Sequence, residues 1–466
     1  MSTSGAEGGA LPRLPRGVEW LLNGGWPAAE AILPHLAMPS ARRTGGPELL
    51  LLRQRGFALL WVGQLVSLLG DATLGIALPF YVYQTTGSVA ATGAMLAAGT
   101  APYLLFGSLA GVFVDRWDRK RTMVVADILR AVLLIPLLGV SSPDRVWLVY
   151  LVGFAQSSVS LFFFPAKSAS IPGLVGADSL LEANSLSAFS NAFARVVGPT
   201  LGGALLAAVG LSGVIAFDCV SFLMSGVMIS LVSFPARPRP VEPSFESRAQ
   251  IAVGGRMSLW IGLWHDWLEG MRIVVSERRI AALFLVLASV RLADGVTAVV
   301  FPAFVTDTLR VGALEYGWLA TSQAVGAVIG GLLIARLGWA AGSERLLTAS
   351  FFLAGVAFLT MVSLPILPIA LVLEVVIGGG SIAAQVSRET LLQSAVADRL
   401  RGRVFGTLYT TNSLANVGGM GLGTVLGGLV GAAPVLGLSG VAYLAACGIA
   451  QVRLSRRSSR SPGAPR

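Results

Sequence analysis

Charge is scarce in this 466-residue chain: Asp, Glu, Lys and Arg together make up 12% of it, about half the share usual in soluble domains. Cysteine and histidine are rarer still, at two each. Cys219 and Cys447 both lie inside apolar runs, where a thiol behaves as a small hydrophobe. With only His35 and His265 beside them, no zinc or iron–sulfur ligand spacing can be drawn, so neither metal nor cofactor is expected. The chain has no Gly-x-x-x-x-Gly-Lys-Ser/Thr loop, which argues against an ATP-driven pump. It also lacks a Gly-x-Ser-x-Gly elbow and a Cys/His pair, so an enzyme is not expected. The formal net charge of +10 does not point to nucleic acid, because the basic residues fall in short Arg clusters between apolar runs rather than along a stripe.

Apolar residues fill the space that charge leaves, at 54% of the chain, with a mean hydropathy of +0.74. Runs of about 18 or more apolar residues mark membrane spans. Twelve can be drawn, over 57–83, 88–114, 122–141, 146–166, 184–208, 211–233, 280–305, 313–335, 346–364, 367–386, 404–430 and 433–452. They are too long and too uniformly apolar for barrel strands, which alternate in segments of about ten. The expected fold class is therefore an all-α integral membrane protein with twelve transmembrane helices. With the N-terminus inside, cytoplasmic segments hold 29 of the 34 Lys and Arg residues, and external loops hold two, Arg145 and Arg310. That asymmetry predicts a multi-pass protein of a bacterial inner membrane with both termini cytoplasmic.

The spans divide six and six. The expected organisation is a disordered cytoplasmic tail over 1–52, a six-helix bundle over 53–233, a linker over 234–279, a second bundle over 280–452 and a tail over 453–466. The linker opens with a stiff PARPRPVEP stretch. It then places Trp260, Trp264, Trp267, Met271 and Val274 at helical spacing, which suits an amphipathic helix in the membrane interface or one packed under the bundle. The two bundles also repeat. Asp71 and Pro79 match Asp294 and Pro302 at an offset of 223; Gly111 and Arg116 match Gly331 and Arg336 at 220; Asn191, Gly198, Leu201 and Gly202 match Asn412, Gly419, Leu422 and Gly423 at 221. Near-constant offsets across three span pairs predict two pseudo-symmetric halves of like orientation.

Between spans 2 and 3, no charge occurs from Ala72 to Val114, and then six of the next seven residues are charged. Gly107, Gly111, Asp115, Arg116, Arg119 and Lys120 here resemble the loop 2–3 signature of the major facilitator superfamily, with Asp118 where the general pattern has Gly. The stretches FFFPAKSASIPGLV (162–175), ANSLSAFSNAFARVVGPTLGG (183–203) and TLLQSAVADRLRGRVFGTLY (390–409) are similar to its drug exporter and macrolide- or siderophore-efflux-like branch. The resemblance implies that Asp115 meets the positive N-terminal end of span 11 near Val404. This cytoplasmic latch would comprise Gly107, Gly111, Asp115, Arg116, Arg119 and Asp127, and would hold the halves together until that side opens. It further implies that Gly198, Pro199, Gly202 and Gly203 form the bend of span 5 that accompanies antiporters.

Ionisable groups inside spans are functional candidates by default. Asp127 with Arg130 and Arg291 with Asp294 stand at i, i+3 and can neutralise each other. Asp71 lies about 14 residues into its span, near the midplane by the ~1.5 Å rise per residue, with no cation on its own helix. It is the leading candidate for proton coupling, with Asp294 as its repeat mate and Asp218 and Glu374 behind; the alternative is a fixed bridge from Asp71 to Arg195, Arg130 or Arg291 on another helix. Arg195, Arg130 and Arg291 are the candidate counter-ions. Phe80, Tyr81 and Tyr83 offer aromatic surface for a cavity, and core packing explains most of these aromatics equally well. Together these readings predict a monomeric secondary transporter that exports small hydrophobic or amphiphilic molecules by alternating access, exchanges them for protons, and has membrane lipid as its surroundings. A transporter of lipid or of a siderophore-like secreted metabolite, without obligatory proton coupling, is the alternative.

Overall fold

A computed structural model of the chain describes residues 51–234, 267–337, 343–396 and 398–454, apart from 269 and 273; the side chains of 107–116, 337, 398, 399 and 454 lie outside what is described. The long apolar runs all become helices, the conformation that satisfies its own backbone without help from water. In chain order these are α1 (Arg55–Thr86), α2 (Val89–Arg116), α3 (Arg119–Leu134, continued by a 3-10 turn, Ile135–Gly139) and α4 (Trp147–Val175). Next, Leu180–Ser230 runs on as one element except at Gly210 (φ 75°), which divides it into α5 (180–209) and α6 (211–230). The second half comprises α7 (Arg278–Ala303, continued by a π-turn, Phe304–Thr308), α8 (Ala313–Leu337), α9 (Glu344–Ser363), α10 (Leu367–Ala395), α11 (Asp398–Val430) and α12 (Ala432–Leu454). Among the described residues 11 continuous elements are long and apolar enough to cross a membrane, and one of them, Ala177–Ser230, holds two spans. That yields the twelve.

Helix pairing shows the pseudo-symmetry. α1 packs on the α5–α6 pair and α7 on α11 and α12; α2 packs on α4 and α8 on α10; α3 packs on α4 and α6, and α9 on α10 and α12; between halves, α2 meets α11 and α8 meets α5. Adding six to each helix number maps one half's contacts onto the other's. The match extends to single glycines. A Cβ on Gly202 would lie 2.5 Å from the Thr73 carbonyl oxygen, and one on its mate Gly423 would lie 2.9 Å from Val296 Cα. Close backbone approach of this kind is how helices associate when lipid supplies no hydrophobic drive. Gly210 and Gly431 both turn the chain in the left-handed region, at φ 75° and 85°, where side-chain-bearing residues are strained.

Asp118, the departure from the loop 2–3 pattern, caps α3: its Oδ1 accepts from the Arg121 amide at 2.7 Å, satisfying one of the orphan donors of the first turn. Of the linker helix, Trp267 Nε1 donates to Thr411 Oγ1 at 3.3 Å and Val274 is buried, so its described part packs against α11. Trp260 and Trp264, with 1–50 and 455–466, lie outside the described residues.

Candidate functional site

The N-terminal half concentrates charge around one guanidinium. Arg130 of α3 is 2% exposed; its Nη2 donates to Asp127 Oδ1 at 3.1 Å and its Nη1 to Asp71 Oδ2 of α1 at 3.5 Å. Phe163 of α4 and Phe222 of α6 lie on it with ring centroids 4.6 and 4.4 Å from the guanidinium carbon, a cation–π arrangement that strengthens where water is excluded. A third carboxylate, Asp218 of α6, lies against Gly70, accepts from Ser221 Oγ at 3.2 Å and interacts electrostatically with both Asp71 and Arg130. Asp127 and Asp218 are fully buried, whereas the Asp71 side chain is 43% exposed. The cluster is thus three carboxylates on three helices round one cation, with a single carboxylate open to solvent.

The C-terminal half is arranged differently. Arg291 Nη1 donates to Asp294 Oδ2 at 3.0 Å, with side chains 39% and 30% exposed, and Tyr443 of α12 donates its hydroxyl to Asp294 Oδ1. These groups border a cavity of about 90 Å³ between α7, α9, α10 and α12, whose lining includes Ala354, Ala384 and Arg388. Glu374 is buried apart from it and accepts from Gln323 Nε2 at 3.1 Å, tying α10 to α8.

The structure therefore brings Asp71, Asp127, Arg130 and Asp218 together and keeps Asp294 and Arg291 in a separate group. Arg195 is exposed and makes no ion pair among the described residues. Asp127 does not belong with the latch: it stands on the inward face of α3, two turns beyond the loop, and its charge is spent on Arg130. The side chains of Gly107, Gly111, Asp115 and Arg116 lie outside the described residues, while Arg119 donates to the Ala169 carbonyl of α4. Gly210, between α5 and α6, is the position with non-helical torsions, and Pro199 lies within α5. Gly198 and Gly202 admit α1 at Ala72 and Thr73, and Gly203 admits α8 at Ala313 and Gly317. The expected aromatic cavity wall is instead a closure. Phe80 stacks on Tyr316 of α8 at 5.2 Å, Tyr81 donates to the Val140 carbonyl at 2.8 Å, and Tyr83 donates to Asp307. Tyr443, Phe163, Phe222 and Arg388 were not singled out from the sequence. Carrying the repeat offset of 221 onward, which pairs Phe222 with Tyr443, would have signalled two of them.

Twelve spans in two matched halves, joined face to face with charged groups inside, define a secondary-transporter architecture rather than an enzyme or a pump with a nucleotide site. The transmembrane secretion effector family matches residues 48–462, and the chain belongs to that family, a branch of the major facilitator superfamily. It is a multi-pass membrane transporter of the efflux type, with bacterial relatives. It is 28% identical over 382 residues to "Macrolide efflux protein A" of Streptococcus pyogenes, covering 80% of this chain and 88% of that protein. It is 29% identical over 398 residues to "Multidrug efflux pump Tap" of Mycolicibacterium fortuitum, covering 82% and 88%. The fold is similar to that of a bacterial homologue of the iron transporter ferroportin in its inward-facing state, with TM-score 0.64, 18% identity, and coverage of 88% of this chain and 99% of that one.

Proposed function

We propose that this protein exports small hydrophobic or amphiphilic molecules in exchange for protons, by alternating access between its two halves. One observation carries the coupling: Asp71, Asp127 and Asp218 share the single cation Arg130, so charge balance leaves room for protons, and Asp71 alone is open to solvent. Carboxylates that outnumber the cations near them in low dielectric favour taking up a proton. Loss of that proton leaves a surplus negative charge that favours a rehydrated, opened state. Asp71 sits on α1 next to Ala72 and Thr73, where Gly198 and Gly202 of α5 pack, so a change in its charge acts directly on a helix–helix seam of the N-terminal half. Tyr83–Asp307 and Phe80–Tyr316 close the halves at the far ends of α1 and α7. We read this as the inward-facing arrangement, with both termini cytoplasmic and the chain working as a monomer. The names of the relatives make a macrolide, erythromycin, the first substrate to try, with ethidium as a second, amphiphilic probe.

A second reading, export of a lipid-like or secreted metabolite without proton coupling, draws on a groove of about 720 Å³ between α3 and α4, where Trp117, Leu129, Val159 and Phe162 form an apolar wall below Arg121. The two separate in everted vesicles carrying an acid interior. Addition of erythromycin or ethidium to wild type should collapse the gradient reported by a quenched amine dye. Asp71→Asn should largely abolish that collapse, because the variant has no carboxylate at this position to load and release a proton. Equal collapse by wild type and variant would remove Asp71 from the coupling role. Transport with no collapse in either would favour the second reading.

A further inference from the structure

The cavity of the C-terminal half has a specific origin. Six buried positions of α3 (Met123, Ala126, Asp127, Arg130, Ala131, Leu134) match buried positions of α9 (Leu347, Ser350, Phe351, Ala354, Gly355, Phe358) at an offset of 224. In α4 and α10, Val149, Ala166, Ser170, Ile171 and Val175 match Ala370, Ser387, Leu391, Leu392 and Val396, all buried, at 221. In these registers Ala354 stands where the N-terminal half has Arg130, Ala384 where it has Phe163, and Tyr443 where it has Phe222. The guanidinium and the phenyl ring that fill one half are each reduced to a methyl group in the other. About 90 Å³ is left open there, room for several waters or one small organic group.

The charge on the walls differs as well. Two guanidiniums, Arg291 and Arg388, line the cavity with one carboxylate, Asp294. Both oxygens of Asp294 are engaged, one by Tyr443 and one by Arg291. Arg388 is more than nine-tenths buried, at 8% exposed, and its Nε has no hydrogen-bond partner among the described residues. Its ion pair is with Glu389, its own chain neighbour, at 3.5 Å. Glu389 is 39% exposed, so the pair is weak and leaves Nε unmatched. Of the rest of the lining, Leu287, Val290, Phe351 and Ile377 are apolar, and Ser350, Ser381 and Gln385 add uncharged polar groups.

We propose that this cavity binds a small organic carboxylate, the anionic group taken by the Nε edge of Arg388 with Arg291 beside it and the apolar body seated over Ala354 and Ala384. A planar guanidinium with free donors matches a carboxylate bidentately, and the apolar walls exclude a fully hydrated inorganic anion. The site lies within one half, away from Asp71, and stands independently of the proton-coupling reading.

The probe is sodium benzoate, with benzamide as its neutral counterpart. Each is titrated at constant ionic strength into the purified full chain in lipid nanodiscs and followed by calorimetry and by thermal unfolding. Benzoate should bind saturably and raise the unfolding temperature, whereas benzamide should do neither. Arg388→Gln should weaken benzoate binding about tenfold or more, as loss of a charge-assisted hydrogen bond does. Ala384→Phe, which copies the filling of the N-terminal half and keeps both arginines, should abolish binding in a folded protein. Equal shifts from benzoate and benzamide, or undiminished benzoate binding in Ala384→Phe, would overturn the proposal, and the second result decides the matter even if Arg388→Gln fails to fold.

Discussion

Between α1, α3, α4 and α6 the N-terminal half is packed solid by Arg130, held between Phe163 and Phe222 and facing three carboxylates. Between α7, α9, α10 and α12 the C-terminal half has alanines at the matching places and a cavity facing two arginines. The helix pairing of the halves is the same. A duplicated scaffold thus keeps its seams while its interior is free to change, because seams depend on backbone approach at small residues and interiors depend on side-chain volume and charge. One half carries surplus negative charge in a closed setting, and the other surplus positive charge in an open one.

The sharpest way to break this contrast is Arg130→Met. It strips the only cation from buried Asp127 and its neighbours, and leaving a buried charge unmatched costs about 3–5 kcal/mol. Thermal unfolding in detergent should show a large fall in midpoint, and a small one would mean that the cluster is already neutral without its arginine. Next come the seams. Gly202→Ala and Gly423→Ala each push a methyl group into backbone of the neighbouring helix, and overpacking of this kind costs about 1–3 kcal/mol. The two should destabilise to a similar extent in the same assay. A twofold-related pair with one silent member would show that the halves do not bear load alike. Smallest is Arg291→Gln. Its pair with Asp294 is a third exposed on both sides, and exposed pairs contribute about 0–1 kcal/mol, so the midpoint should barely move. A loss as large as that of Arg130→Met would erase the electrostatic difference between the halves.

Much of this was legible in the chain alone. Apolar runs of sufficient length can only be helices in lipid, so the twelve spans followed from composition. The i, i+3 pairs Asp127–Arg130 and Arg291–Asp294 followed from helical geometry, and both form. The Asp71–Asp294 and Gly202–Gly423 offsets reported the duplication. The resemblance implied a latch that reaches Asp127, whereas two helical turns carry that residue from the interface into the bundle, where it pairs with Arg130. At the aromatic end of α1 the residues alone left cavity wall and core packing equally open. Phe80 and Tyr83 are apolar and polar enough for a cavity wall, and only the partners Tyr316 and Asp307 make them a closure.

The sequence by itself determined how many spans there are and that they come in two related sets, since those properties depend on hydropathy and period; the helices α4 and α10 run on past their apolar cores to Val175 and Ala395. Only the tertiary structure decided which charges meet. Asp71 and Asp218 reach the Asp127–Arg130 pair from two other helices, and nothing in their spacing along the chain says that they converge on it. It also decided that Ala354 and Ala384 leave a space while Arg130 and Phe163 fill one. Convergence and volume are properties of packed faces, and a linear order of residues carries neither.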